Sequence, residues 1–427
     1  METIDFATNK IWKNWQNPYS DAEMDQKLKY GWEKYPPGFI HALPSDAEML
    51  QLKKIADGLK EDKTEALIVV GMGGSVLGTK AIKQYYAPYS DKLFFWEASH
   101  PQQLRKAGHL AEVKNTVFLW VSRSGDTLEA NANLSMFRQF FPDIPVYYIT
   151  ANMEKLEGMN IDPANIISTP RDLSGRHSVV SAVSLLPGFF LGANMDEFMA
   201  GFREAMEKWD VGIPIAQNTA KLTALQYYQL LNSNFYSVVF WIYADEMLEW
   251  GKWLKHLWAE SLGKSSHVNA LPILAQGPED QHSLLQYYHD GPNSFIHTFV
   301  HTKSYGFHDT VIPDTPAGPQ AGHSQWEVLQ SEMKSMERML SERNRPVGEF
   351  NLPGIYSGKD PKEWYKNSNL RILGYWMGFW MYTVTYLGYL FDINPSNQPA
   401  IESGKNNCVE FLKKGHEIDP LQNIFYL

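Results

Sequence analysis

Three hydroxyl side chains, Ser122, Ser124 and Thr127, stand close together in residues 118–129, FLWVSRSGDTLE. Phe118, Leu119, Trp120 and Val121 read as an apolar strand, and Glu129, Ala130, Ala132 and Leu134 favour a helix from about Leu128. The start of such a helix presents unpaired backbone N–H groups with a partial positive charge, and the hydroxyls add short donors around one phosphate. Gly125 supplies the tight turn. Ordinary helix capping by Ser124 or Asp126 is the competing use of the same residues.

A second turn rich in glycine, residues 71–80, GMGGSVLGTK, follows the apolar run ALIVV at 66–70. Two nucleotide motifs nearly fit and both fail. The dinucleotide pattern needs glycine where Val76 stands, and the P-loop needs Gly-Lys-Ser/Thr where Gly78, Thr79 and Lys80 stand. The glycines still allow backbone to approach a ligand at a helix start, with close packing alone as the alternative.

Three further stretches carry candidate chemistry. In SGRHS, residues 174–178, Arg176 can hold negative charge developing on oxygen. In WLKHLWAESLGK, residues 253–264, Glu260 follows aromatic and aliphatic residues, and burial there would raise its pKa towards the working range of a base. In DQHS, residues 280–283, His282 falls at or near a helix start. Each also has a structural reading: a surface ion pair for Arg176, a solvated helix residue for Glu260, a capping or satisfied polar residue for His282. The residues by themselves lead as far as a site for a phosphorylated small molecule in a two-domain α/β protein.

The elements that must position these stretches alternate. Apolar runs at 66–70, 93–96, 116–121 and 146–150 are separated by helical patterns, which implies parallel βαβ units and a doubly wound sheet. Ligands of such sheets collect at the carboxyl ends of the strands, so the turns after 70 and after 121 should face one crevice. Helical patterns at 195–209 and 219–231 lead to a second unit with strands at 237–243, 271–275 and 295–300. Residues 303–370, with a charged helical run at 327–343, read as an excursion. The expected division is an N-terminal arm with one or two helices (1–45), two α/β domains (46–205 and 206–392) and a C-terminal tail (393–427).

Length and composition bound the rest. A chain of 427 residues suits two or three domains. Its formal charge of −10 argues against a general nucleic-acid surface, so an anionic substrate needs a local positive site. The single cysteine, Cys408, excludes an intramolecular disulfide framework and a cysteine-built metal site. No signal-peptide pattern follows Met1, so a cytoplasmic location is expected. Residues 372–391, ILGYWMGFWMYTVTYLGYLF, are uncharged and long enough to span a bilayer. Their Gly, Thr and Tyr content, with no second such segment, favours a helix buried in a large core.

Taken in order, these stretches resemble the glucose-6-phosphate isomerase family. The matching segments are collinear: VGMGGSVLG at 70–78, the hydroxyl turn at 122–129, GRHS at 175–178, ESLGK at 260–264, QHS at 281–283 and QPAIESGK at 398–405. The resemblance implies two domains of the sugar-isomerase type, each an α-β-α sandwich on a doubly wound parallel sheet, with an N-terminal arm and a C-terminal helical tail. It implies reversible isomerisation of glucose 6-phosphate to fructose 6-phosphate through a cis-enediol, with no cofactor and no metal. On that basis Ser122, Ser124 and Thr127 hold the phosphate, and Gly74 with Ser75 lies along the sugar. His282 and Lys405 assist ring opening, Glu260 moves the proton between C2 and C1, Arg176 steadies the enediolate, and Gln398 contacts the sugar or its phosphate. The family's histidine reaches the site from the other subunit, so a homodimer with a shared active site is implied, with no nucleic-acid or membrane partner.

Several positions depart from the family's pattern. Arg123 replaces lysine, Asp126 replaces a hydroxyl residue, His177 stands for an aromatic ring, and Ala400 replaces glycine. His256 stands where a glutamine contacting the sugar is usual. Asp126 is expected to point away from the phosphate and to pair with Arg123 or cap the helix. The departures leave open a dual isomerase that also takes mannose 6-phosphate, and a non-catalytic sugar-phosphate-binding regulator. The regulator would need a partner module or a lost base, whereas no helix-turn-helix appendage is evident and Glu260 is present.

Overall fold

In chain order, the computed structural model opens with strand β1 (Asp5–Thr8) and helices α1 (Asp21–Lys34) and α2 (Asp46–Glu61). It describes residues 5–8, 19–268, 270–303, 311–314, 318–354 and 368–413. Ser20 and Ser45 each cap their helix, and a glutamate three residues on, Glu23 or Glu48, bonds back to the capping backbone. Then follow β2 (Ala66–Val70), α3 (Gly74–Tyr86), β3 (Leu93–Trp96), α4 (Pro101–Val113), β4 (Thr116–Val121), α5 (Leu128–Phe140), β5 (Val146–Thr150) and β6 (Ile166–Ser168). Three helices, α6 (Ala182–Leu191), α7 (Met195–Trp209) and α8 (Thr219–Leu231), lead to β7 (Ser237–Ile242), α9 (Leu248–Leu262), β8 (Leu271–Gln276), α10 (Gln281–Asp290) and β9 (Phe295–Thr302). The chain closes with α11 (Gln325–Glu342), β10 (Val347–Leu352), α12 (Leu370–Leu390) and α13 (Pro399–Lys413).

The strands form two sheets, ordered β3-β2-β4-β5-β6 and β1-β10-β9-β7-β8. Among the described strands every pairing is parallel except that of β1 with β10. Strands β2, β4 and β7 are apolar on both faces, as a sheet covered on both sides requires. Ile68, Val70, Phe118 and Trp120 face a cluster with Ala130, Leu134 and Phe137 of α5, while Leu67, Val69, Leu119 and Val121 face the opposite layer. In the second sheet Val239, Trp241 and Phe299 meet Met333, Met336 and Leu340 of α11. Val238, Phe240 and Ile242 turn the other way, into the same cluster that lines the first sheet. One continuous core therefore runs between the two sheets.

Helix α12 is the axis of that core. Its Trp380 lies against Phe350, Trp258 and Trp250, with ring centroids 5.3, 6.3 and 6.2 Å away. Glycines set its approach to α7. A Cβ at Gly374 would fall 1.9 Å from the Phe198 carbonyl oxygen, one at Gly201 1.9 Å from that of Arg371, and one at Gly378 2.5 Å from the Ala205 Cβ. The uncharged stretch at 372–391 is thus buried in protein, and among the described residues no helix is long and apolar enough to cross a membrane.

Three strands go beyond the sequence reading, one of them the short edge strand β6 beside β5 in the first sheet. The N-terminal arm contributes an antiparallel edge strand, β1, besides its helix. Within the 303–370 excursion, β10 lies between β1 and β9, so this stretch supplies a strand inside the sheet as well as the expected helix α11.

Candidate active site

The carboxyl ends of β2 and β4 are adjacent in the first sheet, and both turns that follow them open on the same side. After β4, Ser122 is buried and its hydroxyl donates to Thr127 Oγ1 at 2.9 Å. Gly125 takes φ +74°, which lets the chain reverse before α5. Asn131 donates to the Gly125 carbonyl at 3.0 Å, and Asn152 to that of Ser124 at 3.3 Å, so polar side chains hold the turn from both sides. Thr127 is the N-cap of α5 and makes no side-chain capping bond, while the Ser124 hydroxyl accepts from the Asp126 N–H at 3.2 Å. Capping by Ser124 or Asp126 is therefore not how α5 begins. Ser122 and Thr127 are joined to each other across the turn that leads into α5.

The expected partner of Asp126 is corrected. Asp126 pairs with Lys155 at 3.1 Å, with both side chains more than half exposed. Arg123 is drawn instead to the carbonyls of Arg171 and Leu173, at 3.3 and 3.4 Å. Lys155 wins because it lies beside Gly125, where an added Cβ would meet its side chain at 2.8 Å.

After β2, the glycine turn meets two other segments. A Cβ at Gly74 would fall 2.1 Å from the Gly175 carbonyl, and Ser178 donates to the Gly74 carbonyl at 2.7 Å. Close backbone packing at Gly74 seats the short 3-10 turn Gly175–Val180 against the start of α3. Gly73, at φ +51°, has the His256 ring 3.5 Å from where its Cβ would be. Ser75 is half-buried in the first turn of α3.

These contacts deliver Arg176 to α9. The guanidinium is fully buried, and each of its nitrogens is bound. Nε donates to Glu260 Oε2 at 3.1 Å. One terminal nitrogen donates to the carbonyls of Glu260 and Pro395 at 3.1 and 2.5 Å, and the other to the Asn397 carbonyl at 3.1 Å and Gln398 Oε1 at 2.9 Å. His256, one helical turn before Glu260, places Nε2 3.0 Å from the same Oε2. Burial is the largest single influence on Glu260 and pushes its carboxyl up, but His256 and then Arg176 together outweigh it and hold the carboxyl below its usual range. The expected upward shift is thus reversed, because two partners arrive at one carboxylate oxygen, His256 from the same helix and Arg176 from across the fold.

His177 fills the place of an aromatic ring as a neutral one. It is buried, its Nδ1 lies 2.8 Å from the Ser174 hydroxyl, and its ring meets Phe39 edge-on at 5.1 Å. Burial and then the Arg176 charge hold its pKa well below the ordinary value.

The sequence-derived residues are only partly gathered. Arg176, His256, Glu260 and Gln398 converge, and the glycine turn borders them, with Gly73 against His256 and Gly74 against Gly175. Lys405 is half-buried on α13, whose start follows Gln398 directly. His282 stands exposed in the first turn of α10, and among the described residues no hydrogen bond joins it to the Glu260 cluster. Sequence reasoning missed Lys264, whose ammonium donates to the Asn397 carbonyl beside Arg176. It also missed the carbonyls of Pro395 and Asn397 as ligands of cations, since no side-chain pattern marks a backbone acceptor.

Comparison with known proteins gives one answer. The sequence model described as phosphoglucose isomerase matches residues 54–419. The chain is 28% identical over 355 residues to the glucose-6-phosphate isomerase of Methanocaldococcus jannaschii, covering 82% of this chain and 85% of that one. It is also 28% identical over 396 residues to the glucose-6-phosphate isomerase of Rubrobacter xylanophilus, covering 87% and 88%. In fold it is similar to a hypothetical protein of Thermus thermophilus, with TM-score 0.74 and 22% identity, covering 96% of this chain and all of that one. A glucose-6-phosphate isomerase from Chlamydia trachomatis superposes with TM-score 0.69 at 20% identity, covering 96% of this chain and 78% of that one.

Proposed function

Because the chain belongs to the phosphoglucose isomerase family, we propose that it interconverts glucose 6-phosphate and fructose 6-phosphate with Glu260 as the base that carries a proton between C2 and C1. The reaction class is aldose-ketose isomerisation, as in the glucose-6-phosphate isomerases it is similar to. The observation that carries the residue assignment is the convergence of Arg176, His256 and Gln398 on Glu260.

Proton abstraction next to a carbonyl needs an ionised base and a cation for the oxygen that becomes negative. A carboxyl held low is ionised at neutral pH. Both described bonds to the carboxylate fall on Oε2, which leaves Oε1 as the oxygen to take the proton. As it does so, negative charge leaves Glu260 and appears on the sugar oxygen. Arg176 then exchanges one anion for another, so its attraction is strengthened where the transition state needs it.

In this reading the turn at 122–127 grips the phosphate through Ser122, Ser124, Thr127 and the first amides of α5, and fixes a small sugar against Gly74, Ser75 and His256. Gln398 contacts the sugar or its phosphate, and Lys405 assists ring opening. His282 lies apart from this cluster and is exposed, which supports its service in a second copy's site and a homodimer with shared active sites. The division at 205/206 into two sugar-isomerase domains and the C-terminal tail carrying Lys405 are part of the same proposal.

The test is formation of fructose 6-phosphate from glucose 6-phosphate by the purified protein beside Glu260→Gln. Turnover in the parent and a loss of at least ~100-fold in the variant are expected. Equal rates would remove Glu260 from the role of base.

A further inference from the structure

We propose that Lys264 is a positioning residue that, together with Arg176, latches the turn at residues 395–398 onto α9 and so sets Gln398 and Lys405 for the reaction. The inference rests on the isomerase reading above. Lys264 lies just past the end of α9, where its backbone N–H donates to the Leu262 carbonyl at 2.8 Å and its side chain turns towards the C-terminal segment. Its ammonium donates to the carbonyl of Asn397. The same carbonyl accepts from Arg176 at 3.1 Å, and Arg176 also holds the Pro395 carbonyl and the Gln398 side chain.

Two cations thus meet on one short turn whose residues, Pro395, Ser396, Asn397 and Gln398, bring no countercharge. Their countercharge is Glu260, which pairs with Arg176 at 3.1 Å. Burial, and then the Arg176 charge, lower the Lys264 pKa to about 8, while Glu260 opposes them. Like charges drawn together beside a catalytic carboxylate are a feature of functional sites more than of cores. The geometric consequence is specific. Residues 395–398 lead straight into α13, so whatever fixes the turn also fixes where Gln398 sits and where the helix bearing Lys405 begins. Arg176 holds the turn at Pro395, Asn397 and Gln398 from the segment before α6. Lys264 adds a second cation on the shared Asn397 carbonyl, so the turn is also tied directly to the residue just past the end of α9.

The experiment is a double-mutant cycle on kcat/KM for glucose 6-phosphate, using the full chain and the variants Lys264→Met, Lys264→Gln, Lys264→Arg, Lys405→Met and Lys264→Met/Lys405→Met. A charged hydrogen bond lost at Lys264 is expected to lower kcat/KM by about 10-fold or more. Lys264→Arg, which keeps the charge and donors, should remain within about 3-fold of the parent. If Lys264 acts through the segment carrying Lys405, its removal adds little once Lys405 is gone, so the two losses do not multiply. Hydrogen exchange should quicken across 395–413 in Lys264→Met, or in Lys264→Gln if the methionine variant does not fold, and stay unchanged in β2 and β4. Parent-like kcat/KM in Lys264→Met or Lys264→Gln, losses that multiply in the double variant, or unchanged exchange at 395–413 would overturn the latch while leaving the isomerase reading intact. An inactive parent would instead overturn the isomerase reading.

Discussion

The seam between α7 and α12 and the cluster around Arg176 are both buried and both tightly made, yet they are built on opposite principles. The seam brings two backbones together by removing side chains at Gly201, Gly374 and Gly378, and its interior is lined by apolar side chains, with ion pairs from Arg371 to Glu197 and Glu204 at one end. The cluster brings three segments together by filling the space with charge, and its acceptors are one carboxylate, one amide and several carbonyls. Close packing has no preferred chemistry and serves stability. Buried charge gains little stability over a well-packed apolar core; at Lys221 it ties Asp25 to α8, whereas at Arg176 it gathers on a carboxylate at the carboxyl-end crevice, the place where such a sheet binds ligands.

That contrast is open to direct attack. The largest effect is expected at the seam: Gly374→Ala puts a Cβ 1.9 Å from the Phe198 carbonyl oxygen, and should cost about 3 kcal/mol or more in urea unfolding. Turnover per folded molecule should be unchanged, and a variant as stable as the parent would mean the helices can part. Glu260→Gln should show the reverse, losing ~100-fold in turnover while unfolding measurements at pH 7 move by about 1–2 kcal/mol. The parent's carboxyl is held below its usual range, so it contributes stability above the unfolded pKa of ~4.3, and that contribution is lost as pH falls through the folded value. Unfolding curves of Glu260→Gln should therefore fall less steeply on the acid side.

Smaller effects sharpen the boundary of the site. Ser122→Ala and Thr127→Val break the 2.9 Å bond inside the turn at 122–127 and, if that turn grips the phosphate as proposed, should raise KM for glucose 6-phosphate by about 10-fold, with kcat altered less. A loss confined to kcat would place the phosphate elsewhere. At Lys264 the slope has the same sign as at Glu260 but falls on the alkaline side, because folding lowers both pKa values. The folded protein sheds this proton near pH 8 and the unfolded chain only towards 10.5, so stability contributed by this group rises between those values. Denaturation midpoints from pH 7 to 10 should show that rise in the parent and lack it in Lys264→Met. Asp126→Asn, which removes an exposed pair with Lys155, should change stability by no more than about 0.5 kcal/mol. A large loss of sugar-phosphate binding in that variant would bring Asp126 into the site.

Much of the fold was legible because its signals are local. Helices α7 and α8 follow apolar periodicity, and β2, β4 and β7 are continuous apolar runs bounded by turns. Strand β10, VGEFNL, was not, since Gly348, Glu349 and Asn351 interrupt any such run, and its place beside β9 comes from pairing across the chain. The pieces of the site were legible for the same local reason. A hydroxyl turn, a glycine turn and a His256 one helical turn from Glu260 need only near neighbours to be recognised.

Residue types and their spacing were enough to say which side chains could do chemistry and on which element each would stand. Folding then selected which of them meet and in what charge state. Arg176 reaches Glu260 across 84 residues and Gln398 across 222, and Lys264 shares a carbonyl with it that no side-chain pattern could announce. The direction of Glu260's pKa was settled there too. Burial and charge act through space rather than along the chain, so a carboxylate that its own neighbours would have raised is lowered by partners that only folding brings to it.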